Sequence, residues 1–296
     1  MSIARRKEKD SAGEEREFTF SPADLDFIID AVYQHAGIVL NDSKKEMIYG
    51  RIVRRVRALG LESITDYCEF LRTTEAKYGE LEEFVNVLTT NLTHFFREPH
   101  HFEHLQHKVL EPVFADKSGS HRIRLWSAGC STGMEPYSMA MTVAPLLAKN
   151  PGYDLKILAT DVNTEVLDKA KEGVYSAKVL KPVPSAYRKS GILPVPKTHK
   201  LQGSEKYHLI APELRKLISF KYMNFLETWP VSGPFDAIFC RNVLIYFDDK
   251  TSARIFDGFA NVLKIGGFLY IGHSENLRDM SNRLELVDRT TYQRVR

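Results

Sequence analysis

Cysteine is scarce in this chain: Cys68, Cys130 and Cys240 stand far apart in 296 residues. No CxxC pair occurs and one thiol must stay unpaired, which argues against a disulfide or zinc framework and for a reducing, cytoplasmic compartment. Charge of one sign is scarce as well. Lys and Arg number 41 against 38 Asp and Glu, and the formal +3 gives no global pull toward nucleic acid or a membrane. Long apolar runs are missing too: Met139 to Ala148 is uncharged but well short of the roughly 20 residues that span a bilayer. The first ten residues carry charges where a signal peptide would need an apolar stretch. What remains is ordinary soluble composition, 43% hydrophobic with a mean hydropathy of -0.28. At about 150 residues per domain the length predicts two domains.

Residues 1–17 alternate charges without apolar periodicity and are expected to form a disordered tail. In "SPADLDFIIDAVYQHAG", Ser21 is placed to cap a helix, Pro22 to open it and Gly37 to stop it. Met47, Ile48, Ile52, Val56 and Leu59 then mark the apolar face of a second helix, whose other face carries Lys44, Lys45, Arg51, Arg54, Arg55 and Arg57. With further helical patterns at 64–72 and 78–88, residues 18–90 read as an all-helical N-terminal domain, followed by a linker and first helix over 91–121.

From 122 to 296 the pattern changes. "IRLWSA", "LKILAT", "LISFKYM", "FDAIFC" and "GGFLYIG" read as strands with helices between them. The expected fold is α/β, a doubly wound, mostly parallel sheet. "LELVDRTTYQRVR" adds a C-terminal antiparallel hairpin, and the proline-rich stretch at about 181–216 a small inserted β-subdomain.

In such a sheet ligands sit at the carboxyl ends of the strands. "SAGCSTGME" occupies one such end, without the Lys-Ser/Thr of a P-loop and without GxGxxG spacing. Glu135 stands at the helix N-terminus where a phosphate would dock, so a ligand with a cationic or hydroxylated portion fits better. Asp161 in "LATDVN" is placed to accept from ribose hydroxyls, although it could equally cap the helix that follows. Asn224 and Phe225 in "YMNFLE" suit an adenine edge and face. Arg241, Asn242 and Tyr246 end the next strand, so several polar residues converge on one rim.

The motifs "NLTHFFREP", "WSAGCSTGMEPYSMAM", "ATDVN", "YMNFLE" and "FDAIFCRNVLIYFDDKT", with "LKIGGFL" before the last parallel strand, resemble those of the CheR chemotaxis methyltransferases, over about residues 20–296. These are class I S-adenosylmethionine-dependent enzymes. The resemblance implies S-adenosyl-L-methionine as cofactor, S-adenosyl-L-homocysteine as product, and methyl transfer to glutamate side chains of chemoreceptor cytoplasmic helices in sensory adaptation. It implies cofactor contacts at Asn91, Thr93, Arg97, Glu135, Asp161, Asn224, Phe225, Arg241 and Asn242, with Arg97 and Tyr246 beside the transferable methyl. The alternative is the same cofactor with a different protein or small-molecule acceptor.

A glutamate carboxylate has a reference pKa of about 4.3 and is already the nucleophile at neutral pH, so no general base or metal is called for. The basic face with Arg51, Arg54, Arg55 and Arg57 would steer an acidic receptor helix, or be only a solvated face. Nucleic acid is disfavoured because no aromatics interleave with those cations. "HHFEH" matches H-x-x-E-H at His100, Glu103 and His104, but without a third ligand a solvent-facing helix is the better expectation, with no metal. In some family members the inserted subdomain grips a peptide at the receptor's C-terminus. Here "LQGSEKYHLIAPEL" is shorter and less glycine-rich, so that tether is expected to be absent.

Overall fold

Ser21 caps the first helix in a reciprocal pair with Asp24: the Ser21 side chain accepts from the Asp24 N–H, and the Asp24 carboxylate accepts from the Ser21 N–H. Helix α1 (Pro22–Ala36) ends at Gly37, where φ is 72°. Helices α2 (Lys45–Leu59), α3 (Ile64–Leu71) and α4 (Glu80–Leu88) follow. In this computed structural model residues 8–9, 15–116, 121–195, 205–277 and 281–296 are described. The chain divides into two compact units. The first ends at Thr90 and includes Tyr246–Asp248, and the second comprises Asn91–Ile245 and Asp249–Arg296.

Within the helical unit Ile48, Ile52 and Val56 are fully buried, as the spacing predicts. The basic face departs from expectation. Arg55 grips Glu80 with two nitrogens at 2.9 and 2.6 Å, and Tyr67 donates to the same carboxylate. Arg51 donates to the carbonyls of Leu88 and Thr89 at 2.7 and 2.9 Å, closing the C-terminus of α4. Both arginines thus tie α2 to α4. Arg54 is exposed, and Arg57 is exposed while paired with Glu17.

Of the stretch 1–17, residues 1–7 and 10–14 lie outside the described residues. Glu8–Lys9 pairs antiparallel with Glu15–Arg16, and Arg16 is buried, donating to Glu46 at 2.6 Å with its guanidinium over the Tyr49 ring.

The second unit is built on a seven-stranded sheet, numbered here along the chain: β1 (Arg122–Ala128), β2 (Asp154–Asp161), β3 (Ile218–Tyr222), β4 (Phe235–Cys240), β5 (Leu263–Ile271), β6 (Leu284–Asp288) and β7 (Thr291–Arg294). Its order is β6-β7-β5-β4-β1-β2-β3. The five strands from β1 to β5 are parallel and the β6–β7 hairpin is antiparallel. All six residues of β4 are buried, because a central parallel strand is covered on both faces; five are apolar, and the sixth, Asp236, accepts from the Arg124 N–H at 2.8 Å. Strand order reverses between β1 and β4, which fixes the crevice at their carboxyl ends. Fully buried Trp126 lies on β1 within an aromatic cluster of Trp229, Phe235 and Phe259.

The inserted sheet starts earlier than expected. Its strands are Val174–Ser176, Ile192–Pro194 and Tyr207–Ile210, the last lying between the other two and antiparallel to both. A three-residue strand carries too little periodicity to be seen from sequence. Residues 196–204 of this insert lie outside the described residues.

The helix with the histidine cluster is also corrected. His101 is fully buried, shares a hydrogen bond with Thr290 at 2.9 Å, and packs edge-on against Phe239 and tilted against Tyr270. His104 shares one with the Tyr270 hydroxyl at 2.9 Å. Positions three apart share a helix face, and this face packs on the sheet while Glu103 points to solvent.

Candidate active site

β1 ends in a loop that glycine makes possible. Gly129, Ser131 and Gly133 all have positive φ, at 85°, 49° and 88°. A Cβ on Gly129 would run into Val243, and one on Gly133 would come within 2.8 Å of Ala170. The loop is bound to the neighbouring strand, since Gly129 and Cys130 both donate to the Thr160 carbonyl.

One residue further, Asp161 holds the rim. Its carboxylate accepts from Ser131 N–H at 2.7 Å and from Asn163 N–H at 2.9 Å, while its carbonyl accepts from Met223 N–H at 3.0 Å. The ends of β1, β2 and β3 are thereby locked together. The Ser131 hydroxyl donates to the Asn91 carbonyl at 3.0 Å, which brings the "NLTHFFR" segment to the same loop. Asn163, not Asp161, caps the following helix (Thr164–Glu172) through its side-chain oxygen.

Glu135, in the first turn of the helix Met134–Lys149, accepts from the Ser127 hydroxyl at 2.7 Å and pairs with Arg241 at 3.2 Å. Arg241 is nearly solvent-free and also reaches the Arg97 carbonyl at 2.5 Å and Glu98 at 3.4 Å. Glu98 in turn meets His273 at 3.0 Å. Burial pushes Glu98 upward, but the His273 hydrogen bonds and the Arg241 charge outweigh it and hold it below the usual carboxylate range. Glu98, His100 and His101 place one ligand-type atom each within 4.8 Å of one another, yet the cation beside Glu98 is Arg241 itself. His101 is pushed down to about 2, first by burial and then by Arg241, and is neutral.

Other expected site residues sit differently. The Asn224 side-chain oxygen accepts from Leu226 N–H at 3.0 Å, shaping the turn after β3. The Phe225 ring belongs to the aromatic cluster, 5.4 Å from Trp229 and 5.8 Å from Phe259. Arg97 is half-buried and its side chain donates to the Leu92 carbonyl at 3.2 Å. Thr93 is half-buried on the same segment. Tyr246 groups with the helical unit, its carbonyl accepting from Val39 N–H at 2.7 Å.

Sequence reasoning missed Ser127, Ser131, Glu98 and Glu275. Glu275 lies just past β5 and accepts from the backbone N–H groups of Asn242, Val243 and Leu244 at 2.9, 2.8 and 2.7 Å. The signal was available: "GHSEN" places a carboxylate at a strand's carboxyl end, as "ATDVN" does.

The chemistry of the rim suits a ligand with a cationic centre, hydroxyls and an amide-like ring edge. Burial raises Glu135 above the usual carboxylate range, only partly offset by Arg241 and Ser127, and burial raises Asp161 likewise. Two buried carboxylates therefore favour an incoming cation or donors. The buried Thr132 hydroxyl and the buried Asn242 side-chain oxygen have no hydrogen-bond partner among the described residues, so unused polar capacity is present at this rim. The strand order and this rim fit the class I S-adenosylmethionine-dependent methyltransferase that the motifs resemble.

Comparison with known proteins narrows this further. Residues 91–293 match the CheR methyltransferase SAM-binding domain, and residues 23–89 match the CheR methyltransferase all-alpha domain. A probable chemotaxis protein methyltransferase of Rhizobium etli is 40% identical, over 88% of this chain and 96% of that one. The chemotaxis protein methyltransferase of Escherichia coli is 42% identical, over 88% of this chain and 87% of that one. Chemotaxis protein methyltransferase 2 of Pseudomonas aeruginosa is 39% identical, over 94% and 95%. The chain belongs to the CheR methyltransferase family. Among the described residues no helix is long and apolar enough to cross a membrane.

With Glu135 and Asp161 as the expected cofactor contacts, their raised pKa values would make cofactor affinity pH-dependent. Acidification protonates each of these carboxylates in the free protein at a higher pH than an ordinary Glu or Asp side chain, because burial disfavours the charged form, and the neutral forms attract a sulfonium less. Affinity is expected to fall as pH drops through the raised pKa values, and binding there to release protons. Calorimetric titration of S-adenosylhomocysteine, which lacks the sulfonium charge, should show a weaker pH dependence than titration of S-adenosylmethionine. Equal profiles would remove the electrostatic account.

Proposed function

We propose that this enzyme moves the methyl group of S-adenosylmethionine onto glutamate side chains of chemoreceptor cytoplasmic helices, forming methyl esters in the cytoplasm. The cofactor would be held by Asn91, Thr93, Arg97, Glu135, Asp161, Asn224, Phe225, Arg241 and Asn242. When bound it would supply an activated methyl on a sulfonium, for transfer to a carboxylate oxygen with the carbon–sulfur electron pair leaving on sulfur. The protein's residues orient and desolvate, since the nucleophile is already ionised.

The observation that carries the acceptor reading is Arg97. Its backbone carbonyl is fixed by Arg241 and its side chain is half-buried beside that anchored segment. A guanidinium grips a carboxylate with fixed fork geometry, and Tyr246 would lie beside the methyl. Because Arg97 also draws charge from the nucleophile, its contribution is orientation rather than activation. Arg97→Lys is expected to lower turnover at saturating cofactor about ten- to a hundredfold, the loss of one charge-assisted contact. Initial rates of ester formation measure this, and a rate within twofold of wild type would remove Arg97 from the acceptor site.

Arg54 and Arg57, exposed on α2, would offer positive charge to an acidic receptor helix. Nucleic acid is not the proposed partner. Tethering to a receptor's terminal peptide is proposed to be absent, so removing only that peptide should leave receptor affinity unchanged in a pull-down titration. A tenfold loss would refute this.

The experiment that tests the function is transfer of labelled methyl to receptor-containing membranes, followed by mild base. Volatile labelled methanol identifies a carboxyl ester. Base-stable label would keep the cofactor and move the acceptor to nitrogen or another group.

A further inference from the structure

Three consecutive backbone N–H groups, those of Asn242, Val243 and Leu244, point at one buried carboxylate 33 to 31 residues away in sequence. Glu275 Oε2 accepts from Asn242 and from Gly272, and Oε1 accepts from Val243 and Leu244. Glu275 is 8% exposed, and no cation is paired with it in any described salt bridge. Successive N–H groups around a left-handed residue form a concave anion cradle, and here the anion comes from the chain itself.

The cradled segment is under strain and under the cofactor loop. Asn242 has φ 59°, in the left-handed region that few side chains adopt. A Cβ at Gly272 would come within 2.6 Å of the Asn242 side-chain nitrogen. Val243 fills the space where a Gly129 side chain would be. The turn Gly272–Glu275 therefore holds Asn242–Leu244 in place, and Val243 in turn supports the loop after β1.

We infer that Glu275 is a positioning residue for cofactor binding: its carboxylate fixes the Asn242 conformation and the seat of the glycine loop without itself touching the cofactor. Only a carboxylate can do this at that length. Four donors converge on two oxygens, and an amide would turn its NH2 toward two of them whichever way it was flipped.

The inference rests on the cofactor reading and not on the acceptor. Calorimetric binding of S-adenosylhomocysteine therefore tests it independently of glutamate transfer. In the full chain, Glu275→Gln is expected to weaken S-adenosylhomocysteine at least tenfold at a temperature where the variant is fully folded by circular dichroism. Glu275→Asp keeps acceptor-only chemistry on a shorter arm and should recover part of that loss, although Gln is the closer match in size. Wild-type affinity in the Gln variant, or Asp no better than Gln, would overturn the inference. If neither variant folds, Glu275 is a general stability element and the positioning role falls.

Discussion

Asp161→Asn is expected to weaken cofactor binding about 100-fold. The carboxylate gives one oxygen to Ser131 N–H and the other to Asn163 N–H, both in the interior. Asparagine offers one acceptor, so one of those N–H groups must face an NH2. A hydrogen bond to a charged group is worth about 1.5–3 kcal/mol, and tenfold in affinity is about 1.4 kcal/mol. Ser131 is the more exposed to the change, because its φ of 49° is held by that bond. Its release would loosen the loop, while the substitution also weakens the acceptor proposed for ribose hydroxyls. Isothermal titration with S-adenosylhomocysteine measures the loss. Affinity within threefold of wild type would show that the loop does not depend on this carboxylate.

Arg241→Met is expected to destabilise the protein by about 3–5 kcal/mol, the loss seen when one member of a buried ion pair is removed. Arg241, with a side chain 2% exposed, stands between Glu135 and Glu98, which are 12% and 11% exposed. Removing it leaves two carboxylates buried without their cation, and the Arg97 carbonyl without its donor. Most of the effect is the stranded charge, so Arg241→Met combined with Glu135→Gln should be more stable than Arg241→Met alone. Urea denaturation of the single and double variants, read as midpoint and slope, tests both statements. A single-variant loss below about 1 kcal/mol would mean that water or rearrangement replaces the guanidinium.

Both predictions depend on bonds between residues far apart in the chain, and this is where legibility divides. The strand "FDAIFC" could be read from sequence because a buried parallel strand is mostly apolar, here in five of six residues, and the helix at 22–36 because its cap residues act on their own neighbours. Glu135, Asp161 and Arg241 could be singled out because each ends or follows a strand at a predictable edge. Their partners could not. Glu135 meets Arg241 across 106 positions and Ser131 meets Asp161 across 30. No local pattern encodes such a pairing.

The same reason separates success from correction elsewhere. Arg51 and Arg55 lie on the polar face that spacing predicts, but whether an arginine faces solvent or grips α4 depends on Glu80 and the α4 terminus. His101 and His104 looked solvent-facing because histidine is polar, whereas Thr290 and Tyr270 accept them inward.

By itself, then, the amino-acid sequence determined the order of helices and strands, the helical unit preceding the α/β unit, and the strand-end residues available for chemistry. These follow from local capping, hydrophobic period and chain order. Tertiary structure decided which charges are paired inside, which histidines are buried, and that the Glu275 carboxylate accepts from the N–H groups after β4. Burial makes each unpaired polar group expensive, so partners are selected by the folded interior rather than by position along the chain.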